Sequence, residues 1–140
     1  MPPLTLELAR SRMTPSLGHT LGIELVELTP QRVVATMPVD ARTIQPFGIL
    51  HGGASVALAE TVASLAGAAN VDMDVAHVVG VEINANHIRA KREGVVTGTA
   101  TPIHVGRSTH VWSVRIVDEQ DRVICVSRCT LAVVSNKAAD

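Results

Sequence analysis

The sequence is poor in aromatic side chains: Phe47 and Trp112 are present and tyrosine is missing. A core built from this chain must therefore pack through aliphatic residues. Charge of either sign is not in excess, since the net charge is −1 and the pI is near 6.6. Lysine and arginine are scattered along the chain, which disfavours a surface for the phosphate backbone of nucleic acids.

Long uninterrupted apolar runs are also missing. The longest apolar stretch, 52–69, is broken by Ser55, Glu60, Thr61 and Ser64, so it does not predict a membrane span. Met1 is not followed by a basic and then apolar signal sequence, and we expect a cytoplasmic protein. A chain of 140 residues with 46% hydrophobic content predicts one compact domain spanning 1–140.

Cysteine is scarce as well, since Cys125 and Cys129 are the only two. Four residues apart on a strand, they would lie about 13 Å from each other at ~3.3 Å per residue, which excludes a disulfide. We expect both cysteines to be small residues of the core. The six histidines show no CxxC or HxxxH spacing, so no metal site is predicted.

Apolar periodicity predicts an α+β fold. A short helix over 4–13 belongs to an N-terminal extension, residues 1–17, and ends before Thr14-Pro15. A long helix is predicted over 52–69, after a loop over 40–50. Six strands are predicted over 21–28, 32–39, 76–89, 95–104, 109–117 and 123–134. The long helix is apolar around most of its circumference, so we expect a curved antiparallel sheet wrapped around it.

Glu60 is a carboxylate in the middle of this apolar helix. Helical spacing aligns it with Gly53, Ser64 and Gly67 in one narrow stripe. A helical glutamate is often paired with a base or extended to the surface. Burial of an unpaired carboxylate costs several kcal/mol, and it is usually retained where its basicity is used. We therefore predict a functional role for Glu60.

His51-Gly52-Gly53 occupies the predicted start of the same helix. The first N–H groups of a helix have no partner within it, and they lie at the positive end of the helix dipole. Such donors suit an oxygen that develops negative charge, and the two glycines allow that oxygen to come close. The alternative is a tight turn into the helix, capped by His51. Gln45, six residues earlier, makes the pattern more specific.

Three segments resemble the hotdog-fold acyl-CoA thioesterases: MPVDARTIQPFGILHGGASVALAET, VVGVEINANHIRA and HVGRSTHVW. The most similar subgroup contains the 4-hydroxybenzoyl-CoA thioesterases with a helical glutamate. It also contains the 1,4-dihydroxy-2-naphthoyl-CoA hydrolases of menaquinone synthesis and the proofreading thioesterases of siderophore synthesis. The resemblance runs from about residue 18 to 134 and does not include residues 1–17.

The resemblance implies a role for each residue of the motif. Glu60 would be the nucleophile or general base, while the Gly52 N–H and Gln45 would polarise the thioester carbonyl. His51 would orient the substrate near the sulfur, and Ser64 would position the Glu60 carboxylate or the attacking water. Further residues would contact substrate or CoA: Gly53, His87, Arg89, Arg107 and Ser108.

A thioester is electrophilic and its thiolate leaves readily, so this chemistry needs neither a cofactor nor a metal. No G-x-S-x-G serine elbow is present. Two alternatives are a hotdog hydratase or dehydratase, whose Asp/His pattern is missing, and a non-catalytic acyl-CoA-binding module. The acyl group, aromatic or medium-length, and the choice between CoA and carrier-protein thioesters stay open.

The predicted helix also indicates a homo-oligomer with a two-fold partner, and the resemblance implies a dimer or a tetramer. Glu60 lies about 12 Å along the axis from Gly52 at ~1.5 Å per residue, and its side chain spans only about a third of that gap. One subunit therefore cannot bring both groups to one carbonyl carbon. We expect a partner helix, related by a two-fold axis, to supply the second group.

Overall fold

The computed structural model describes residues 3–137, which form three helices and six strands. The helices are α1 (Leu6–Ser11), α2 (Leu17–Thr20) and α3 (Gly52–Ala68). The strands are β1 (Glu24–Thr29), β2 (Arg32–Val39), β3 (Ala76–His87), β4 (Gly94–Val105), β5 (Thr109–Val117) and β6 (Val123–Ser135). Within this part of the chain, no helix combines the length and apolarity needed to cross a membrane.

The six strands form one antiparallel sheet in the order β1-β2-β4-β5-β6-β3. Helix α3 contacts all six strands, which a single helix can do only if the sheet curves around it. The buried side of α3 is lined by Leu58, Val62 and small alanines, and these let the sheet approach closely. The predicted α+β architecture, with a sheet around one long helix, is confirmed.

Helix α3 is buried on one side only. Buried pairs such as Leu58-Ala59 and Val62-Ala63 alternate with half-exposed pairs such as Glu60-Thr61 and Ser64-Leu65. The expectation of a helix covered around most of its circumference is therefore wrong for a single chain. An α-helix turns by about 100° per residue, so this repeat leaves one continuous face open.

Several element boundaries differ from the sequence predictions. Helix α1 covers 6–11 rather than 4–13, and the short helix α2 was not predicted. Ser16 caps α2 by accepting a hydrogen bond from the His19 N–H at 3.1 Å. Strand β1 begins at Glu24 instead of 21, because residues 21–23 complete the turn after α2. Cys125 and Cys129 are free and buried, as expected.

Candidate active site

The start of α3 leaves one backbone donor unused. The Gly53 N–H donates to Nδ1 of His51 at 2.7 Å. The N–H groups of Ala54 and Ser55 donate to the His51 carbonyl at 3.0 and 3.2 Å. The Gly52 N–H has no acceptor among residues 3–137. It is therefore available to a ligand, at the positive end of the helix dipole.

His51 is the N-cap of α3, so the capping interpretation of this residue is confirmed. Because Nδ1 accepts the Gly53 N–H, a neutral His51 carries its proton on Nε2. The exposed ring can therefore donate a hydrogen bond from Nε2 while it caps the helix.

A cavity of about 330 Å³ lies beside the Gly52 N–H, and we call it the Gly52 cavity. His87 covers Gly52 so closely that a Cβ added there would lie 2.8 Å from His87 Nε2. A side chain at this position would have to displace the His87 ring, so glycine is favoured here by space rather than by its backbone dihedrals. The cavity is lined by Gln45, Ile49, Leu50, Gly52, Ser55, His87, Ile88, Arg89, Ala90 and Ile124.

Gln45 reaches this cavity from a tight turn. Its backbone N–H donates to the Ile49 carbonyl at 2.8 Å, and Gly48 closes the turn with a φ of 77°. This left-handed conformation favours glycine. The side-chain Oε1 accepts the Phe47 N–H. The Gln45 amide is thereby oriented, and its NH₂ group is the end left to donate to a ligand.

Glu60 and Ser64 line a different cavity of about 400 Å³, which we call the Glu60 cavity. The Glu60 carboxylate lies against Gly80 of β3, where a side chain would collide with Oε1. No ion pair among residues 3–137 includes Glu60. The lining residues are Met13, Ser16, Leu17, Gly18, Ala57, Glu60, Thr61, Ser64 and Leu65.

The negative charge of Glu60 contributes to the raised pKa of a buried thiol, that of Cys129. Burial raises the pKa of Cys129 to about 11, and the negative charges of Glu60 and Glu82 add to the rise. Cys129 is therefore a neutral thiol at physiological pH and a poor nucleophile. The Glu60 carboxylate, which lines a cavity, is therefore a stronger candidate for reaction than this thiol.

The two cavities are separate within one chain and share no lining residue. Glu60 contacts Gly80, whereas Gly52 lies under His87, near the other end of β3. Along α3 itself, Gly52 and Glu60 are about 12 Å apart at ~1.5 Å per residue, which is more than the Glu60 side chain can span. A single chain does not bring the Glu60 carboxylate and the Gly52 N–H to one substrate atom.

The remaining predicted site residues lie at three places. His87 and Arg89 line the Gly52 cavity, as a joint role with Gln45 would require. His51 and Gly53 line a third cavity of about 250 Å³, which shares Leu17 and Ala57 with the Glu60 cavity. The Gly53 N–H is already used by His51.

Arg107 and Ser108 lie in the bend between β4 and β5. Thr109, next to the bend, pairs with Ala132 of β6, whereas His87 pairs with Cys125. The bend is therefore at the opposite end of the sheet from His87 and Arg89. Within one chain, the structure does not bring Arg107 and Ser108 together with His87 and Arg89.

The prediction that Gly67 belongs to the polar stripe is wrong. Gly67 is buried, and a Cβ added there would meet Leu131, Val78 and the His110 ring. Seven residues correspond to slightly less than two turns, so a position seven residues after Glu60 moves toward the sheet. Gly67 serves close packing of α3 on β3 and β6.

Sequence reasoning missed several cavity residues. Ser55, 1% exposed, lines the Gly52 cavity from the second half of the first α3 turn. It lies within the HGGAS motif, where the sequence alone shows only a polar interruption of the apolar stretch. Met13, Ser16, Leu17 and Gly18 line the Glu60 cavity, and no motif in that N-terminal segment indicated a role.

Comparison with known proteins identifies the family of this chain. A family model described as the thioesterase superfamily matches residues 47–125, more than half of the chain. The chain belongs to the thioesterase superfamily. The resemblance found in the sequence is confirmed, and this thioesterase is an enzyme that hydrolyses thioesters.

Relatives of this thioesterase cover nearly its full length. ComA2 of Bacillus subtilis, which is named as an esterase, is 59% identical over 123 residues, covering 87% of this chain and 97% of that protein. The 1,4-dihydroxy-2-naphthoyl-CoA hydrolase of Listeria monocytogenes is 48% identical, covering 84% and 94%. The crystal structure of thioesterase HI1161 from Haemophilus influenzae superposes with a TM-score of 0.92 at 47% identity, covering 98% and 96%.

Proposed function

We propose that this thioesterase hydrolyses an acyl-CoA with an aromatic or medium-length acyl group to the free acid and CoA. The observation that carries the proposal is the free Gly52 N–H at the start of α3, beside the oriented NH₂ group of Gln45. Two such donors at the positive end of a helix suit the thioester oxygen, which gains negative charge as the carbonyl carbon is attacked.

Glu60 supplies the other half of the chemistry. Its carboxylate either attacks the carbonyl carbon or removes a proton from a water that attacks it. In both cases the C–S bond breaks, the sulfur leaves as the CoA thiolate, and the thiolate is then protonated. Direct attack gives an acyl-Glu60 anhydride, which water cleaves in a second step. Ser64, one turn after Glu60 in the same cavity, holds the carboxylate or the water.

Two chains share each active site in this proposal, because one chain keeps the two donors and the carboxylate apart. β3 is an edge strand of the sheet, and it exposes apolar side chains at Val79 and Val81. Unpaired edges favour pairing with a second strand. Antiparallel pairing of two β3 strands about a two-fold axis at residue 84 would place Gly80 opposite the partner's His87, because β3 has a bulge between Gly80 and Glu82.

That pairing also gathers the groups proposed for CoA. It puts Glu60, which contacts Gly80, beside the Gly52 cavity of the partner. It brings the Arg107–Ser108 end of one sheet toward the His87–Arg89 end of the other. Arginine side chains suit phosphate oxygens, so Arg89 and Arg107 are the proposed phosphate contacts.

The substrate class is tested by thiol release from benzoyl, hydroxybenzoyl, naphthoyl and fatty acyl-CoA, with the same acyl groups on a carrier protein in parallel. The Listeria relative is named for an aromatic acyl-CoA, which supports including the naphthoyl compounds. We expect turnover of CoA thioesters with a preference for aromatic or medium acyl groups. Tight binding of uncleavable analogues without any thiol release would instead identify a binding module.

A further inference from the structure

We propose that the Glu60 cavity is the acyl subsite and that Met13 and Gly18, in the N-terminal segment 13–18, set the acyl size it accepts. This inference rests on the proposed function, since it takes Glu60 to be the group that acts on the thioester. The family model matches 47–125 and the sequence resemblance began near residue 18, so neither assigns a role to this segment.

The cavity has two walls of different origin. One wall is the half-exposed face of α3, formed by Ala57, Glu60 and Leu65 among others. The opposite wall is the segment 13–18, which contributes Met13, Ser16, Leu17 and Gly18. The volume of about 400 Å³ falls within the ~300–1,000 Å³ of small-ligand sites. Its apolar side chains suit a hydrocarbon acyl group attached to a carbonyl near Glu60.

The N-terminal wall is fixed to the rest of the fold. Arg10 donates two hydrogen bonds to the Leu25 carbonyl, from Nε at 3.0 Å and Nη2 at 2.7 Å. The Ile23 N–H donates to the Gly18 carbonyl at 2.8 Å. The chain is thus tied to β1 three residues before the segment, through Arg10, and to the residue before β1 at its end, through Gly18. A wall held in this way can discriminate between acyl groups rather than yield to them.

Met13 rests on Gly18, and this contact sets the width of the cavity. A Cβ added at Gly18 would lie 2.7 Å from Met13 Cε, the far end of a flexible side chain. Gly18 does not have a positive φ, so alanine fits its backbone. Gly18→Ala would therefore displace the Met13 side chain and narrow the cavity, whereas Met13→Ala would widen it.

The experiment measures kcat/KM for straight-chain acyl-CoAs from butyryl to dodecanoyl, and for benzoyl- and naphthoyl-CoA, with both variants. We compare kcat/KM for the largest acyl group with kcat/KM for the smallest. Met13→Ala should raise this ratio about tenfold, and Gly18→Ala should lower it about tenfold. One methylene has an effect of about this size in an apolar pocket. Met73→Ala is the matched control, because Met73 is also half-exposed but lines none of these cavities. It should leave the ratio unchanged.

Inhibition by free CoA should be equal in all four proteins, because CoA carries no acyl group. Opposite changes of the kcat/KM ratio in Met13→Ala and Gly18→Ala support the proposal. A uniform change across the series, or no change in the ratio, would overturn it, provided that thermal unfolding shows folded proteins. Repeating the series with acyl-N-acetylcysteamine thioesters separates the proposal of a CoA substrate from the proposal of acyl-size selection. If these thioesters are hydrolysed and the CoA thioesters are not, CoA is rejected as the carrier. The preference for acyl size can still be measured with the N-acetylcysteamine series.

Discussion

The Gly52 cavity and the Glu60 cavity both lie against α3, yet they are built in different ways. The Gly52 cavity is formed by the QPFGILHGG segment and the end of β3, and it presents backbone and amide donors. The Glu60 cavity is formed by the middle of α3 and an N-terminal segment without a motif, and it is mostly apolar. The proposed carbonyl-binding donors are therefore encoded in a local motif, whereas the proposed acyl selectivity depends on packing between distant segments.

The largest effect is expected when the carboxylate is removed from the Glu60 cavity. Glu60→Gln keeps the shape of the side chain but is neither a base nor a nucleophile, so kcat should fall about 10²- to 10⁴-fold while the protein stays folded. Thiol release with the best substrate measures the loss. Glu93→Gln, at an exposed carboxylate outside both cavities, is the control. Near-normal turnover by Glu60→Gln would refute the assigned role.

A smaller loss of kcat is expected when the Gln45 donor is removed from the Gly52 cavity. Gln45→Ala and Gln45→Glu both remove the NH₂ group, and each should lower kcat by roughly 10²-fold, the typical cost of one oxyanion donor. The two variants differ in the turn, because a glutamate can still accept the Phe47 N–H. Thermal unfolding should therefore show destabilisation for alanine only. If both variants kept full kcat, Gln45 would not be a catalytic donor.

A site shared between two chains can be tested by mixing two inactive variants. Glu60→Gln and Gln45→Ala are unfolded together in equal amounts and refolded. Half of the dimers should be hybrids, and each hybrid holds one intact site, so about a quarter of the wild-type activity should return. Mass spectrometry confirms that hybrids form. A mixture with confirmed hybrids that is as inactive as its parents would exclude a site shared between chains.

The smallest predicted effect concerns stability rather than turnover. Burial lowers the pKa of His110, although a hydrogen bond to the Gly106 backbone opposes this. The unfolded chain then takes up a proton at a higher pH than the folded one, so stability is lost as the pH falls below about 6.5. Chemical unfolding between pH 7.5 and 5 should show a slope of at most ~1.4 kcal/mol per pH unit from this group. His110→Gln should flatten it, and the exposed His77→Gln should not.

The long elements of the fold were predictable from the sequence because their periodicity is strong. The predicted helix over 52–69 ends one residue later than α3, and the strand over 109–117 matches β5. The Gly52 donor was also predictable, since it follows from local helix geometry. Helix α2 was missed, because four residues give no period to detect and its position depends on Ser16 and on packing against α3. The N-terminal wall was not predictable either, because contacts between segments about forty to fifty residues apart leave no local pattern.

The contact between Gly80 and Glu60 has an evolutionary consequence. Gly80 does not have a positive φ, so its own backbone does not require glycine. The requirement comes from the Glu60 carboxylate, which occupies the space of a side chain. The two positions are therefore epistatic, because they share one volume. A larger residue at 80 would displace the Glu60 carboxylate, so we expect substitution of Gly80 to lower activity while Glu60 is present and to be tolerated once Glu60 has been lost.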